Sequence, residues 1–392
     1  MKILIVIPSF YPAVIYGGPI YSTLYICREM TTNHNVSISV STTNANMNDR
    51  LDVKKNTWVY FNKLFKVKYY NETIINKFSY SLAVNIWKDI KEADVIHIQS
   101  IFSISTPISL FFCWLFKKKI ILSPRGSLGI WCLENGSKLK KIWLRRLIKP
   151  FLPSITFHAT SAQEKQEVLS CFEDASIEVI PNGINFSEYQ KYNTLNATDY
   201  LFKFTKKKLP VDKIIISMGR LHKKKGFDIL INAFKKILDT YPNAKLIIAG
   251  SDEGEKHSLL NLINSNELND AAFIIDEISG DEKIDFFSNA DVFSLPSHNE
   301  NFGNVYLESL ASGTPIIASK NTPWESVELN NCGRWVENSV DNVELALLEL
   351  LQENRNDMRE NAKKLASNYN WENIAKKFKL LYKSQYRNNL DE

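Results

Sequence analysis

The chain has 392 residues, more than one hydrophobic core usually contains, so two domains are expected. Apolar residues make up 44% and charged residues 23% of the sequence, a composition typical of a folded globular protein. The net charge of +5 is mild for this length and too small to indicate nucleic acid as a main partner, so none is expected.

The cysteines and the apolar segments predict a cytoplasmic protein. The five cysteines show no paired spacing that would indicate a disulfide framework. The first apolar run ends at Pro8, too early for a secretory signal. The stretch from Ile101 to Phe116 is interrupted by serines, a threonine and a proline, and it falls short of the roughly 20 apolar residues of a membrane span.

The chain begins with the pattern of a doubly wound α/β domain. Lys2 to Ile7 is a continuous apolar run of the kind that buried parallel strands show. A loop with Gly17 and Gly18 follows, and a helical pattern then extends to Met30. The glycine pair fits a ligand-binding loop and fits a tight turn equally well.

Four further apolar runs alternate with helical stretches and predict a parallel sheet. They are Val36 to Val40, Val95 to Ile98, Ile120 to Leu122 and Ile155 to His158. His97 and Gln99 lie at the end of one of these strands, where a side chain can face a ligand. A satisfied structural histidine is the alternative for His97.

Arg125 follows the strand at Ile120 in the sequence SPRGSLGIW. An arginine carries a permanent charge and five donors, so it suits a phosphate or carboxylate partner and cannot accept a proton. The position therefore indicates a binding group rather than a general base.

The segment 137–153, SKLKKIWLRRLIKPFLP, predicts a helix that is apolar on one side and cationic elsewhere. Its basic residues are Lys138, Lys140, Lys141, Arg145, Arg146 and Lys149. Helices of this kind often lie on anionic membrane surfaces, and one interpretation is a peripheral position on the inner membrane. A surface helix that packs its leucines on the sheet is the other.

The second half of the chain restarts the α/β pattern at Lys213 after a polar, irregular stretch. In GRLHKKKGFDILINAF, Gly219 and Gly226 bracket Arg220 and Lys225 between a strand and a helix. Flexible backbone, cations and a helix N-terminus converge in such a loop, which predicts phosphate binding. The two lysines before Lys225 are interpreted as solvated.

The most informative stretch is Asp291 to Lys320, DVFSLPSHNENFGNVYLESLASGTPIIASK. It predicts a strand, a loop with Gly303, a helix ending near Gly313 and a second strand. Glu300 lies in the loop and Glu308 on the helix, and the alternative for both is an ordinary solvated charge. The helix N-terminus favours an anion while the carboxylates accept hydroxyl hydrogens, a combination that suits a nucleotide sugar.

The pattern E-N-F-G-N-x-x-x-E followed by S-G-T-P-I-I-A-S resembles the signature of the retaining glycosyltransferases of family 4. This resemblance implies the GT-B fold, an α/β architecture of two Rossmann-like doubly wound domains that face each other across a cleft. The expected division is an acceptor domain at 1–190, a linker at 191–212 and a donor domain at 213–371, with a C-terminal helix at about 372–392 crossing back to the first domain.

The resemblance also implies roles for individual residues. Glu300 is expected to contact the donor sugar, and Glu308 is expected to contact the ribose. Arg220 and Lys225 are expected to neutralise the diphosphate. The phosphates are further expected to lie against Phe302, Gly303 and Asn304, and the loop with Gly17 and Gly18 is expected near the acceptor and the donor phosphates.

Arg125 departs from the resembled pattern, because family members commonly have a histidine followed by glycine in this region. The departure puts a carried-over proton-handling role in doubt. It indicates either an anionic donor sugar or a pyrophosphate on the acceptor. We expect Arg125 on the donor side or the acceptor side, and His97 on the acceptor side.

Taken together, the sequence predicts a metal-independent hexosyltransferase of surface polysaccharide synthesis. The donor is expected to be a UDP or GDP sugar, used as a substrate with no further cofactor, and the acceptor a lipid-linked or free saccharide. No group of acidic residues or histidines has metal-ligand spacing. Two alternatives stay open, a nucleotide-sugar 2-epimerase and a non-catalytic protein that binds a nucleotide sugar or a polysaccharide.

Overall fold

The computed structural model describes residues 1–73, 78–134, 137 and 139–388. The chain divides into two compact units. Unit 1 comprises Met1–Gly183 and the described part of Trp371–Glu392, and unit 2 comprises Ile184–Asn370. The divisions therefore lie after residues 183 and 370.

Unit 1 is built on an eight-stranded sheet in the order β10-β9-β8-β7-β1-β2-β6-β5, which is parallel except for the pairing of β5 with β6. Its strands, including the two-residue pair β3 and β4, are β1 (Lys2–Ser9), β2 (Ser37–Thr43), β3 (Ala45–Asn46), β4 (Asp49–Arg50), β5 (Trp58–Tyr60), β6 (Phe65–Tyr70), β7 (Val95–Gln99), β8 (Ile120–Ser123), β9 (Ile155–Ala159) and β10 (Ser176–Val179). The strands predicted at 2–7, 36–40, 95–98, 120–122 and 155–158 are confirmed as β1, β2, β7, β8 and β9.

The helices of unit 1 connect these strands. They are α1 (Gly18–Thr32), α2 (Tyr80–Glu92), α3 (Ser105–Leu115), α4 (Ile130–Glu134), α5 (Leu139–Trp143) and α6 (Ala162–Cys171). The C-terminal helix, Trp371–Asn388, also belongs to this unit and packs against α1. Trp371, Phe378 and Tyr382 join the same buried cluster as Ile3 and Ile5 of β1, so the last helix completes the core of the first sheet.

Unit 2 contains a six-stranded parallel sheet in the order β13-β12-β11-β14-β15-β16. Its strands are β11 (Ile214–Met218), β12 (Lys245–Ala249), β13 (Ala272–Ile275), β14 (Val292–Leu295), β15 (Ile316–Ser319) and β16 (Gly333–Val336). Its helices are α7 (Ala197–Thr205), α8 (Phe227–Ile237), α9 (Lys256–Ser265), α10 (Gly280–Ser288), α11 (Asn304–Ala311), α12 (Ser326–Leu329), α13 (Val340–Gln352) and α14 (Arg355–Ser367).

The segment 191–212, predicted to be a linker, lies within unit 2 instead. Its centre is the helix α7, whose N-cap Asn196 accepts a hydrogen bond from the amide of Asp199. Tyr200, Leu201 and Phe204 of this helix are buried in the core of the unit. In the sequence this short amphipathic helix is flanked by polar residues, so its few apolar positions do not stand out as part of a core.

The basic segment 137–153 is not the single helix that its periodicity predicts. Leu139–Trp143 is α-helical, Leu144–Ile148 forms a π-helical turn and Lys149–Ser154 forms a 3-10 turn. Pro150 lacks the amide hydrogen that an α-helix would need there. Lys138 lies outside the described residues.

Within the described ranges, no helix combines the length and the apolar character that crossing a bilayer requires.

Candidate functional site

Three loops of unit 2 pack backbone against backbone at the carboxyl ends of β11, β12 and β14. A Cβ atom on Gly226 would lie 2.1 Å from the carbonyl oxygen of Pro296, and one on Gly250 would lie 1.9 Å from that of Gly219. Gly226 has a φ of +66° and precedes α8, so no other residue fits there without strain. These contacts hold the loop that carries Arg220 and Lys225 at the sheet edge where ligands of parallel sheets bind.

Lys225 and Glu300 form an ion pair at this edge. Both side chains are largely buried, 16% and 13% exposed. The hydroxyl of Ser297 also donates to Glu300 Oε1, over 3.3 Å. Burial alone would raise the pKa of Glu300, but the charges of Lys225 and Lys224 and the hydrogen bonds from Lys225 and Ser297 together outweigh it, so the pKa lies below its usual range. Glu300 is therefore a carboxylate at neutral pH.

Aromatic side chains fix the loop that leads from Glu300 into α11. Gly303 has a φ of +73°, and a Cβ atom there would lie 2.5 Å from the ring of Tyr306. The Tyr306 hydroxyl donates to the carbonyl of Leu295 over 2.6 Å, and Trp324 Nε1 donates to the carbonyl of Phe302 over 2.6 Å. The helix begins at Asn304, so its N-terminus is held next to the Lys225–Glu300 pair.

Arg220 and Glu308 have ion-pair partners of their own. Arg220 is 60% exposed and lies 2.6 Å from Glu253, whereas Glu308 lies 2.7 Å from Lys283 and is 17% exposed. Among the described residues, neither contacts Lys225 or Glu300 by an ion pair or hydrogen bond. The structure thus brings together two of the four predicted charges and leaves the other two in separate pairs of the same unit.

In unit 1, His97 and His158 belong to a chain of buried hydrogen bonds. His158 Nε2 faces the carbonyl of Ile180 at 2.8 Å, so this nitrogen carries the hydrogen. His158 Nδ1 must then accept from Ser123 Oγ, at 2.7 Å, and Ser123 must accept from His97 Nε2, also at 2.7 Å. His97 Nδ1 is left to accept from the hydroxyl of Tyr382, at 2.9 Å.

Both nitrogens of His97 are therefore engaged within the protein, and the side chain is 1% exposed. Burial lowers the pKa of His97 well below its usual range, and it lowers the pKa of His158 to about 3. Both rings are neutral, as the hydrogen-bond chain requires. This geometry fits the structural alternative for His97.

Arg125 follows β8 and is partly exposed, with a φ of +58°. Its Nε and Nη2 atoms donate to Gln99 Oε1 over 3.2 and 2.8 Å. Longer bonds reach Asn182 Oδ1, at 3.4 Å, and Thr23 Oγ1, at 3.5 Å. All three of these partners are neutral.

The glycine loop ends close to this arginine. Gly17 has a φ of +72° and precedes α1, whose first residue is Gly18. Thr23 in the second turn of α1 hydrogen-bonds to Gln99 Oε1 over 2.9 Å. Thr23 of α1, Gln99 and Arg125 therefore meet at the carboxyl ends of β7 and β8.

Sequence reasoning did not single out Glu253, Lys283 or Ser297 as partners of the predicted charges. The two ion-pair partners stand 33 and 25 residues from Arg220 and Glu308 in the sequence, with no local pattern that links them. Ser297 lies three residues before Glu300 in the same loop, and this spacing is the one signal that was available.

The basic segment leaves apolar side chains exposed among its charges. Leu144 and Ile148 are buried in the core, whereas Leu139 and Ile142 are 69% and 56% exposed. The adjoining α3 exposes Phe111, Trp114 and Leu115. A groove lined by Trp114, Leu115, Lys117, Lys118, Lys119 and Ser154 lies at the end of α3. We call this surface the basic apolar face.

Two family models match the chain. One, described as Glycosyltransferase Family 4, matches residues 16–188, and the other, described as Glycosyl transferases group 1, matches residues 201–365. The first match lies in the acceptor half of the predicted architecture and the second in the donor half.

Among curated relatives, the chain is 33% identical over 226 residues to an uncharacterized glycosyltransferase of Methanocaldococcus jannaschii, covering 56% of this chain and 57% of that protein. It is 35% identical over 142 residues to the O-antigen biosynthesis glycosyltransferase WclY of Escherichia coli, covering 36% of each. The matches thus span about half of the first relative and a third of the second.

Among solved structures, HepE of Anabaena in complex with UDP has a TM-score of 0.74 with 16% identity, covering 98% of this chain and 100% of that one. At this identity the likeness concerns the fold. Each of the two units carries its own parallel sheet, and the two family models each match one of them. The chain belongs to glycosyltransferase family 4 and has the GT-B fold.

Proposed function

We propose that the protein is a retaining glycosyltransferase that moves a hexose from a UDP or GDP sugar to a lipid-linked or free saccharide in surface polysaccharide synthesis. The observation that carries this proposal is the buried Lys225–Glu300 pair beside the N-terminus of α11. The name of WclY supports the polysaccharide context, and the UDP bound to HepE supports the donor class.

The leaving group is a nucleoside diphosphate, whose negative charge grows as the bond from the sugar to the β-phosphate breaks. Lys225 lies where the glycine-framed loops meet, and its ammonium is already desolvated. An ammonium in such a place stabilises developing charge without reorganising at the moment of reaction. Arg220 and the amides of Phe302, Gly303 and Asn304 add donors for the same diphosphate.

Glu300 has two roles in this proposal. Its carboxylate holds Lys225 in place before the donor binds, and it accepts hydrogen bonds from hydroxyls of the bound sugar. Glu308 accepts from the ribose and is held by Lys283. The acceptor hydroxyl attacks from the face that the leaving group occupies, and its proton passes to the departing phosphate, which the family resemblance implies. The proposed reaction uses the nucleotide sugar as a substrate, without a metal ion or further cofactor.

We further propose a cytoplasmic protein whose basic apolar face lies on the inner membrane. Exposed Trp114, Phe111 and Leu115 are suited to the headgroup boundary. Each lysine or arginine near an anionic leaflet adds on the order of 1 kcal/mol of attraction. The face therefore complements an anionic lipid surface in both charge and polarity.

Flotation with vesicles tests the membrane proposal. Binding to vesicles of phosphatidylglycerol and phosphatidylcholine, and its loss on pure phosphatidylcholine or at high salt, is expected. The double variant Trp114→Ala, Phe111→Ala should weaken binding. Leu380→Ala is the matched control, because Leu380 is 69% exposed on the C-terminal helix. Equal binding to neutral vesicles would contradict the proposal.

Nucleotide release from a panel of UDP and GDP sugars, with membrane extract as the acceptor source, tests the enzyme proposal. Lys225→Ala should lower turnover by about 10²–10³-fold, the usual loss for one transition-state donor. Lys223→Ala removes a lysine of the same loop and should keep most of the activity. Full activity of Lys225→Ala would overturn the assigned role.

The same assay separates the rival functions. An epimerase converts the donor sugar when no acceptor is present, so chromatography of the sugar after incubation with donor alone identifies it. A non-catalytic binding protein raises its melting temperature with the donor but releases no nucleotide. The Lys225–Glu300 pair favours the transferase over the non-catalytic binding protein, because stabilising a leaving diphosphate requires the desolvated cation.

A further inference from the structure

Gln99 is oriented by Arg125 in a way that leaves half of its amide without a partner. The guanidinium only donates hydrogen bonds, so the atom that faces it at 2.8 and 3.2 Å is the amide oxygen. Among the described residues, Gln99 Nε2 has no hydrogen-bond partner, although Gln99 is 1% exposed. A buried donor left unsatisfied is unfavourable, so its position calls for an acceptor.

Among the residues that the structure describes, Arg125 forms no ion pair with a carboxylate. Burial lowers the pKa of its guanidinium, and the carboxylate of Glu164 opposes that effect only through space. The two oxygens of Glu164 instead accept from the amides of Gly126 and Thr160, each over 2.7 Å. The hydrogen bonds of the guanidinium thus go only to neutral groups, which leaves its charge without a directly bonded anion.

The backbone around this arginine is strained. Arg125 and Ser100 follow β8 and β7, and both have left-handed φ angles, +58° and +77°. For residues other than glycine this conformation is strained, and it is often found where a ligand is held. Gln99 and Arg125 lie at the carboxyl ends of β7 and β8, two adjacent parallel strands, where ligands of such sheets bind.

We propose that Arg125 and Gln99 form a subsite for an oxyanion, a carboxylate or a phosphate carried by one of the two substrates. The guanidinium supplies the charge, and Gln99 Nε2 donates to an oxygen of the same group. This inference rests on the proposed glycosyl transfer. The oxyanion has two sources, a uronic-acid donor sugar or an anionic group on the acceptor.

Calorimetric titration of the full chain with inorganic phosphate and with glucuronate tests the subsite. The Lys225→Ala background is used to weaken anion binding by unit 2, and the comparison between variants is made within that background. Saturable binding is expected, weakened at least about tenfold in Arg125→Gln, because a charge-assisted bond is lost. Arg125→Lys keeps the positive charge but loses the planar pair of donors that the guanidinium offers, and it should show an intermediate loss of affinity.

Gln99→Glu provides a second, independent variant. It puts a carboxylate against the guanidinium in place of the missing anion, so it should raise the melting temperature and abolish phosphate binding. A protein that binds neither probe, or whose Arg125→Gln variant binds both as well as the parent, would overturn the subsite.

Kinetics distinguish the two sources of the anion. With an anionic donor sugar, Arg125→Gln raises the KM for a UDP-uronate but not for UDP-glucose. With an anionic acceptor, the KM rises for a phosphorylated acceptor and not for a neutral one. UDP binding should persist in Arg125→Gln, whereas failure of the proposed function would appear as absence of nucleotide release with every donor and acceptor.

Discussion

The hydroxyl of Tyr382 donates a hydrogen bond to Nδ1 of His97 over 2.9 Å, although 285 residues separate the two in the sequence. Tyr382 lies on the C-terminal helix and His97 on β7, so this bond ties the end of the chain to the sheet at its beginning. It is also the first link in the chain of hydrogen bonds that runs through Ser123 to His158.

Removing this hydroxyl should destabilise unit 1. Tyr382→Phe leaves His97 Nδ1 buried without a donor, and the expected loss is about 1–3 kcal/mol of unfolding free energy. Urea denaturation followed by tryptophan fluorescence measures it. Tyr80→Phe, at an exposed position on α2, is the control and should change little. An unchanged urea midpoint for Tyr382→Phe would show that this hydrogen bond does not stabilise unit 1.

Acid should weaken the fold through the two histidines. The pKa values of both histidines are lowered in the folded protein, to about 3 for His158. In the unfolded chain a histidine has its ordinary pKa of about 6.5, so below that pH the unfolded chain binds more protons than the folded protein. Stability is therefore fully present above pH 6.5 and falls as the pH decreases from there, by up to about 1.4 kcal/mol per pH unit for each histidine.

Denaturation at pH 6.5 and pH 5.5 checks this expectation. His158→Gln removes one of the two titrating groups, so its loss of unfolding free energy between the two pH values should be smaller than that of the parent. An identical loss in both proteins would show that His158 does not contribute.

Glu308→Ala should chiefly weaken donor binding. It removes the proposed ribose acceptor, and a charge-assisted hydrogen bond contributes about 1.5–3 kcal/mol, or roughly ten- to a hundredfold in affinity. Lys283→Ala breaks the same 2.7 Å ion pair but keeps the carboxylate. Calorimetry with the donor should show a large loss only for Glu308→Ala, and equal losses would indicate a structural role for the pair.

Gly226→Ala should disturb the donor loop. It adds a Cβ atom 2.1 Å from the carbonyl oxygen of Pro296 at a φ of +66°. Gly280→Ala has a similar φ of +59° but open space around the new methyl group, so it isolates the backbone cost of about 1–2 kcal/mol. Thermal unfolding should show a larger loss for Gly226→Ala, and equal losses would mean that the loop relaxes freely.

The glycine-framed loops could be predicted because their signals are local. Gly226 and Gly303 stand between a strand and a helix in the sequence, and that order alone indicates a left-handed turn ahead of a helix N-terminus. The strands of both sheets were likewise readable from continuous apolar runs, since parallel strands are buried on both faces.

The pairing of charges could not be predicted, because it depends on which loops the sheet order brings together. β11 and β14 are neighbours although 73 residues separate the end of one from the start of the other, and this adjacency places Lys225 beside Glu300. The helix α7 was missed for another reason. Its three buried residues are too few to stand out in a polar stretch.

The C-terminal helix has a consequence for how the protein is made. The ribosome completes all of unit 2 before it synthesises Trp371–Asn388, yet this helix covers β1, a strand that is made before unit 2. Until then Ile3 and Ile5 lack part of the apolar surface that buries them. His97 Nδ1 also lacks the hydrogen bond that the Tyr382 hydroxyl donates. Excising residues 1–183 as a separate fragment would leave that surface open, so a soluble unit 1 requires the last helix to be grafted back through a short connection.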